Sequence, residues 1–322
     1  MTITNLLISA LSQGMIYAPM ALGVFIAFRV LNMPDLTIDG SFVAGMCVCA
    51  VVTIAGQPAL GLICGMAAGA LAGLCTGLMQ TRLRINPILS GILTMTGLYT
   101  VNFMVLGGQS NLYLQKTVVN SAGAETQVAC DTLYKSFRAF LVDLTGNRRL
   151  DANLSAFALT GVIVAVLLAV LAVFFHMRTG MAIRATGDNE EMVRSSSINA
   201  DRTRVIGIMI SNALVALSGA LLCQQQRYAD LNFGSGMLVV GLASVIIGQV
   251  FFGKRSVTLG IFSAVAGSLI YRLILQAAYK VDMPSYAVKL LSAVIVVIAL
   301  SIPLVRRKIA EKRAERGEEG EA

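Results

Sequence analysis

The sequence predicts an all-α fold: a polytopic membrane helix bundle of about nine transmembrane helices, in two inverted repeats joined by one linking helix. Three observations carry this. Hydrophobic residues make up 56% of the 322 residues and charged residues 13%, with a mean hydropathy of +0.76, whereas a soluble domain holds about 25% charged residues. The apolar residues fall in runs of span length, set apart by polar segments. The basic residues gather in those segments: Arg82 and Arg84, five arginines between Arg178 and Arg204, Lys254 and Arg255, and the tail from Arg306. A net charge of +8 placed this way is an orientation signal, and no basic–aromatic patch points to nucleic acid. The basic segments belong on the cytoplasmic side, which puts the N-terminus outside and the C-terminus inside. One transmembrane domain over 1–305 follows, with a tail over 306–322 whose alternating charges form no apolar face.

Leu6 to Phe28 is the first span. It lacks a basic n-region and a small-residue cleavage site, so it reads as a retained helix and not a signal peptide. The next segment, Arg29 to Ser41, brings Asp35 and Asp39 close to lipid and therefore belongs in a loop, a cavity or a re-entrant stretch. Pro34 stops a helix there, and Thr37 or Asp39 can cap the next one. The second span runs from Ser41 to Ile54 and ends at the turn Gly56-Gln57-Pro58. The third, Ala59 to Met79, carries Gly61, Gly65, Gly69, Gly73 and Gly77, a small-residue stripe that permits close helix contact. Asn86-Pro87 opens the fourth, Ile88 to Leu106. In the outer loop 108–152, Leu133, Phe137, Phe140, Leu141 and Leu144 recur at helical spacing, which predicts an amphipathic surface helix. Asn153–Phe175, Val205–Cys223, Met237–Phe252, Val257–Gln276 and Tyr286–Val305 complete the set, with a Pro break at Asp282-Met283-Pro284.

The halves, about 1–107 and 204–305, echo each other. Pro34-Asp35-Leu36-Thr37-Ile38-Asp39-Gly40-Ser41 is answered by Ala229-Asp230-Leu231-Asn232-Phe233-Gly234-Ser235-Gly236, and each is followed by a span, a turn, a Gly-rich span, a Pro break and a span. Either two Gly-rich segments agree by chance, or one odd linking helix inverts a repeat. In inverted repeats the broken segments mark the permeation route. That reading places Thr37, Asp39 and Ser41 near the inner end of a path and Asp230, Asn232 and Ser235 near its outer end, with Asn212 and Ser244 contributing from adjoining spans. The competing role for Asp35 and Asp230 is capping helices and holding loops.

The loop 176–204 is too long for a minimal helix connection and too polar for lipid. Asp188 can cap a short helix reaching Ile198, with Glu191 completing a capping box. The helix is either presented to a cytoplasmic partner or is part of a solvated connection. Elsewhere little chemistry is visible. Cys47, Cys49, Cys64, Cys75 and Cys223 lie in or beside apolar runs and read as small buried hydrophobes, Cys130 has no evident partner, and the single histidine is His176. No metal cluster, Walker sequence or nucleophile–base pair is present, so no catalytic residue and no resident cofactor are expected.

Several stretches carry a resemblance. Thr179-Gly180-Met181-Ala182-Ile183-Arg184-Ala185-Thr186-Gly187-Asp188-Asn189, then Asn199-Ala200-Asp201-Arg202 and Ala216-Leu217-Ser218-Gly219-Ala220-Leu221, resemble permease subunits of bacterial ABC importers of the branched-chain amino acid and ribose type. Phe28 to Thr37, and Gly234-Ser235-Gly236-Met237 through Gly248, are similar to the tryptophan/tyrosine-type subgroup. The resemblance implies that the short cytoplasmic helix is a coupling helix seated in a groove of an ATPase subunit, a role falling on Gly187, Asp188, Asn189, Glu190, Met192, Val193 and Ser195. The loop departs from the better-known coupling motif in having no Pro after Ile198. The resemblance further implies a separate ABC ATPase that uses ATP and magnesium, a periplasmic or lipid-anchored binding protein, and a second permease copy, identical or paired. The bacterial cytoplasmic membrane is the implied location, and the cargo a small solute such as an aromatic or branched-chain amino acid. The alternative is an ion-coupled secondary transporter or channel working without an ATPase. Such carriers place ionisable residues in mid-span, and Asp35, Asp39, Asp230 and Lys289 lie near span ends.

Overall fold

The computed structural model describes residues 3–119, 125–145, 152–253, 256–279, 290–291, 293–297 and 301. In chain order the elements are α1 (Ile3–Phe25), extended by a π-helical turn (Ile26–Val30), then α2 (Thr37–Ile54), α3 (Pro58–Thr81), α4 (Pro87–Val105), β1 (Asn111–Tyr113), β2 (Gln115–Val119), β3 (Glu125–Ala129), α5 (Leu133–Thr145), α6 (Ala152–His176), α7 (Arg178–Asp188), α8 (Glu190–Ser195), α9 (Ala200–Gln226), β4 (Tyr228–Asp230), a 3-10 turn (Leu231–Gly234), α10 (Met237–Phe252) and α11 (Val257–Tyr279). Among the described residues, eight helices are long and apolar enough to cross a membrane: all of these but α5, α7 and α8. Most of the predicted ninth span, Lys254, Arg255, Lys289, the Asp282-Met283-Pro284 break and the tail lie outside the described residues.

Local chemistry sets the helix ends. Pro58 and Pro87 stand at first helical positions, where a missing N–H costs nothing. The Asn86 side chain accepts from Ile88 N (2.9 Å), and that of Asn199 from Arg202 N (3.1 Å). α9 stops at Arg227, whose φ of 63° is left-handed. The all-α expectation overlooked two small antiparallel sheets: β1 pairs with β4, Leu112 opposite Ala229, and β2 with β3, Lys116 opposite Val128. These strands are too short to show an apolar alternation, and β1 finds its partner in the other half of the chain.

α1 and α9 run antiparallel at the centre. Ser218 Oγ donates to the Ile16 carbonyl (2.7 Å) and Ser211 Oγ to that of Gly23 (2.8 Å). The glycine stripe of α3 lies against α2 and α9: a Cβ on Gly73 would stand 2.7 Å from the Ile208 carbonyl oxygen, and one on Gly69 would collide with Ala216 and the Asn212 carbonyl. α11 packs on α1 in the same way, with Ser268 Oγ donating to the Gly14 carbonyl (2.9 Å). The third helix of each half therefore packs on the first helix of the other. Because the stripe takes α3's packing face, Cys64 and Cys75 face outward and are exposed, against the expectation for them; Cys47, Cys49 and Cys223 are buried. α4 and α6 are mostly exposed apolar surface. The expected amphipathic helix is α5, held at the end of the bundle where α9 stops by Leu133 N donating to Gln224 Oε1 (3.1 Å).

Candidate functional site

The two breaks meet inside the bundle. α1 ends in the π-helical turn, the chain passes through 31–36, and α2 starts at Thr37. The carboxylate of Asp35, only 1% exposed, accepts Thr37 N (2.9 Å), so Asp35 caps α2; the expected cappers, Thr37 and Asp39, do not. Its other oxygen accepts Asn212 Nδ2 (2.7 Å), while Asn212 Oδ1 accepts Ser41 Oγ (2.6 Å). Thr37 Oγ1 bonds Thr76 Oγ1 (2.7 Å), which donates to Thr94 (3.0 Å). Asp39 has a different task. Its carboxylate accepts the backbone N–H of Leu238 (2.7 Å) and of Gly236 (3.2 Å), capping α10 from 199 residues away in sequence. Asp230 Oδ1 accepts Asn232 N (2.7 Å) and opens the 3-10 turn.

The two motifs, expected near opposite ends of a path, are joined by Asp39 at the start of α10. The breaks do leave from opposite ends, since α1 and α9 are antiparallel. Both then turn back into the bundle, and Asp39 joins Gly236 at one level.

Two clefts flank the junction. One, of about 380 Å³, lies between α2, α4 and the 3-10 turn and is lined by Asp39, Met95, Tyr99, Asn102, Asn232 and Ser235. The other, of about 540 Å³, lies between the same turn, α1 and α11, and includes Tyr17, Asp230, Asn232, Ser235, Tyr271 and Arg272. Asn232 and Ser235 thus line both. Thr37, Ser41, Asn212 and Ser244 line neither: all are buried and satisfied by protein, Ser244 by the Val240 carbonyl (2.9 Å). The sequence reading missed Tyr17, Tyr99, Asn102 and Arg272. Arg272 was legible, being an ionisable residue within the predicted eighth span.

The loop 176–204 folds as two helices. Asp188 ends α7, and the cap of the next helix is Asn189, whose side chain accepts Met192 N (3.1 Å). The helix it opens, α8, stops at Ser195 and does not reach Ile198. α7 is anchored from below: Gly187 sits on the backbone of Val30 and Leu31 with no space for a Cβ, and Thr186 Oγ1 bonds Thr203 Oγ1 (2.7 Å). Glu190 pairs with Arg194 (2.8 Å) and with Arg204, and Arg194 also reaches Asp201 (2.7 Å). The Glu190 hydrogen bond, helped by the Asp201 charge, holds the Arg194 guanidinium above its ordinary value. Val193 is 1% exposed and packs inward, whereas Met192 is 54% exposed; Asp188, Asn189 and Ser195 are also exposed. A cleft of about 320 Å³ separates α7 from the spans, with Arg29, Asn32, Arg184, Asp188 and Gln249 on its walls.

Residues 6–300 match the family described as the branched-chain amino acid transport system / permease component. Among curated proteins, the chain is 31% identical to a tyrosine transport system permease protein of Clostridioides difficile, over 92% of this chain and 90% of the relative. It is 30% identical to an uncharacterized protein of Rickettsia prowazekii, over 92% and 97%. The ribose import permease protein of Escherichia coli shares 23% over 94% and 86%. No solved structure matches the chain. With eight membrane-length helices and a family match over nearly its whole length, the chain belongs to the branched-chain amino acid permease family and is an integral inner-membrane permease subunit of an ABC importer.

Proposed function

We propose that this subunit passes a small amino acid, aromatic or branched-chain, across the membrane. An external binding protein delivers it, and a separate ATPase subunit, which takes the ATP and magnesium, drives the step. One observation carries the coupling: α7 is seated directly on Val30, in the π-helical turn, and on Leu31, four residues before the Asp35 cap of α2. A push on the exposed side of α8 therefore reaches the junction of the two breaks through packed backbone. The name of the tyrosine permease relative supports an amino acid as cargo. A second permease copy covers part of the apolar surface of α4 and α6, and α7 and α8 lie on the cytoplasmic side, as does the C-terminus.

Met192→Asp tests the coupling. Its side chain is exposed and makes no ion pair, so the fold should persist. Glu190 is a poorer choice because Arg194 and Arg204 depend on it. In proteoliposomes carrying the complex, ATP-driven uptake should fall by about tenfold or more, the usual effect of losing an interface anchor, with the ATPase lost on purification. Unchanged uptake would count against the coupling role.

A further inference from the structure

We infer that the larger cleft is a recognition site, within the permease itself, for the two charged ends of a free α-amino acid: its carboxylate at Arg272 and its ammonium at Asp230. The inference rests on the amino-acid reading above and adds that the membrane subunit, not only the binding protein, reads the cargo.

Arg272 is the first observation. Its guanidinium carbon stands 3.4 Å from the centroid of the Tyr17 ring, and Tyr17 in turn stacks on Phe42 (6.1 Å between centroids). Its Nε is buried with no hydrogen-bond partner, and no carboxylate among the described residues pairs with it. A cation–π contact partly offsets the burial of a charge but satisfies none of the five guanidinium N–H groups. An arginine in a membrane span is costly, and its neighbours there are normally a counter-charge, a carbonyl or a water-filled cavity. This one faces a cavity.

Its direction is the second observation. Ser268 and Leu269 mark where α11 touches Gly14 of α1. Arg272 lies one turn past that contact toward the C-terminal end of α11, and Tyr17 lies on the other side of it along α1. To reach the ring, the side chain leans toward the N-terminus of its helix, as helical side chains do. It thereby lines the cleft and does not reach for the nearer helix end.

Asp230 is the third. It lines the same cleft; Oδ1 is taken by Asn232 N, and Oδ2 has no partner among the described residues. The two opposite charges share one cavity without pairing with each other. Phe233, Met237, Val240 and Leu275 supply apolar wall around them. A zwitterion with an apolar or aromatic side chain matches that set, whereas a sugar, a simple amine or a simple acid leaves at least one charge uncompensated.

The test uses the permease–ATPase complex in lipid nanodiscs without the binding protein. Binding of radiolabelled L-tyrosine is measured in competition with tyramine, which lacks the carboxylate, and 3-(4-hydroxyphenyl)propionate, which lacks the ammonium. Both should bind about tenfold or more weakly than L-tyrosine, the scale of one charge-assisted contact. Arg272→Gln should bring L-tyrosine down to tyramine's affinity and leave tyramine unchanged. Asp230→Asn should bring it down to that of the propionate. Arg272→Lys keeps the charge without the planar fork and should fall between. If Arg272→Gln does not yield monodisperse protein, the wild-type ranking and Arg272→Lys carry the test. Equal affinity for all three probes, equal weakening of all three in the variants, or no saturable binding of L-tyrosine or of the other common amino acids overturns the inference. ATP-driven uptake by the whole system separates the two readings. Ribose uptake without amino acid uptake, or L-tyrosine uptake with an unchanged KM in Arg272→Gln, overturns the inference and leaves the importer standing. Uptake that needs no ATP tells against the importer.

Discussion

Asp39 shows how much one side chain can decide. It sits in the first turn of α2, but both its hydrogen bonds go to the start of α10. Asp39→Ala should destabilise the protein by about 1–2 kcal/mol, the range for losing an N-cap, and should cut transport by more than that loss explains, because the junction itself loosens. Asp39→Asn retains an acceptor and should lie between; thermal unfolding in detergent, read beside uptake, checks both. Asn212 is the matching case one level away. Asn212→Leu strands the Asp35 carboxylate and the Ser41 hydroxyl in a buried site, about 1–3 kcal/mol for each group left unpaired. A midpoint shift close to that of a surface substitution would show that water fills the gap. From sequence, Asp35 and Asp39 stood out as charges close to lipid, and Asp39, Ser41 and Asn212 as residues of the expected path. Their partners were not readable, because the bonds span 171 to 199 positions.

At the scale of elements, the α3 stripe makes the sharpest claim. Gly69→Leu must displace Ala216 or the α9 backbone, and overpacking of this kind costs about 1–3 kcal/mol or more. The expected result is loss of monodisperse protein in size-exclusion chromatography. Gly97 on α4 is the control: a Cβ there meets nothing within 4 Å, so Gly97→Ala should be neutral or stabilise by up to about 1 kcal/mol through helix propensity. Equal damage from both would mean that helix flexibility, not contact, is what the glycines supply. The stripe was visible because a four-residue period survives in one dimension. The α7–α8 boundary was misread by one residue because Asp188 and Asn189 are both good caps; Asn189 is the one at which the chain turns extended between the helices.

For the whole molecule, the junction predicts unequal access. Ser235 is exposed and lines both clefts, whereas Ser41 is fully buried and bonded to Asn212. In this conformation Ser235→Cys should react readily with small water-soluble thiol reagents and Ser41→Cys should not. When the ATPase is trapped closed, the ratio of the two rates should change; a constant ratio in every state would place the moving route elsewhere. The case against the carrier alternative rested on the lack of a mid-span charge, and Arg272 removes that premise. Family membership, and not the charge count, decides between the two.

The sequence by itself determined the membrane class, most of the spans to within a few residues, the tight face of α3, the amphipathic α5 and the presence of two polar breaks. These follow from apolar length, small-residue period and helix-ending residues, all of which are local along the chain. Tertiary structure alone decided that the breaks turn inward and meet, that Asp39 caps α10, that Asn212 bridges Asp35 and Ser41, and that Arg272 and Asp230 share a cleft. The hydrogen-bonded contacts arise because a polar group inside the bundle finds its partner wherever antiparallel packing of α1 and α9 brings one near, the shared cleft because α11 packs on α1, and nearness in space leaves no mark on distance in sequence.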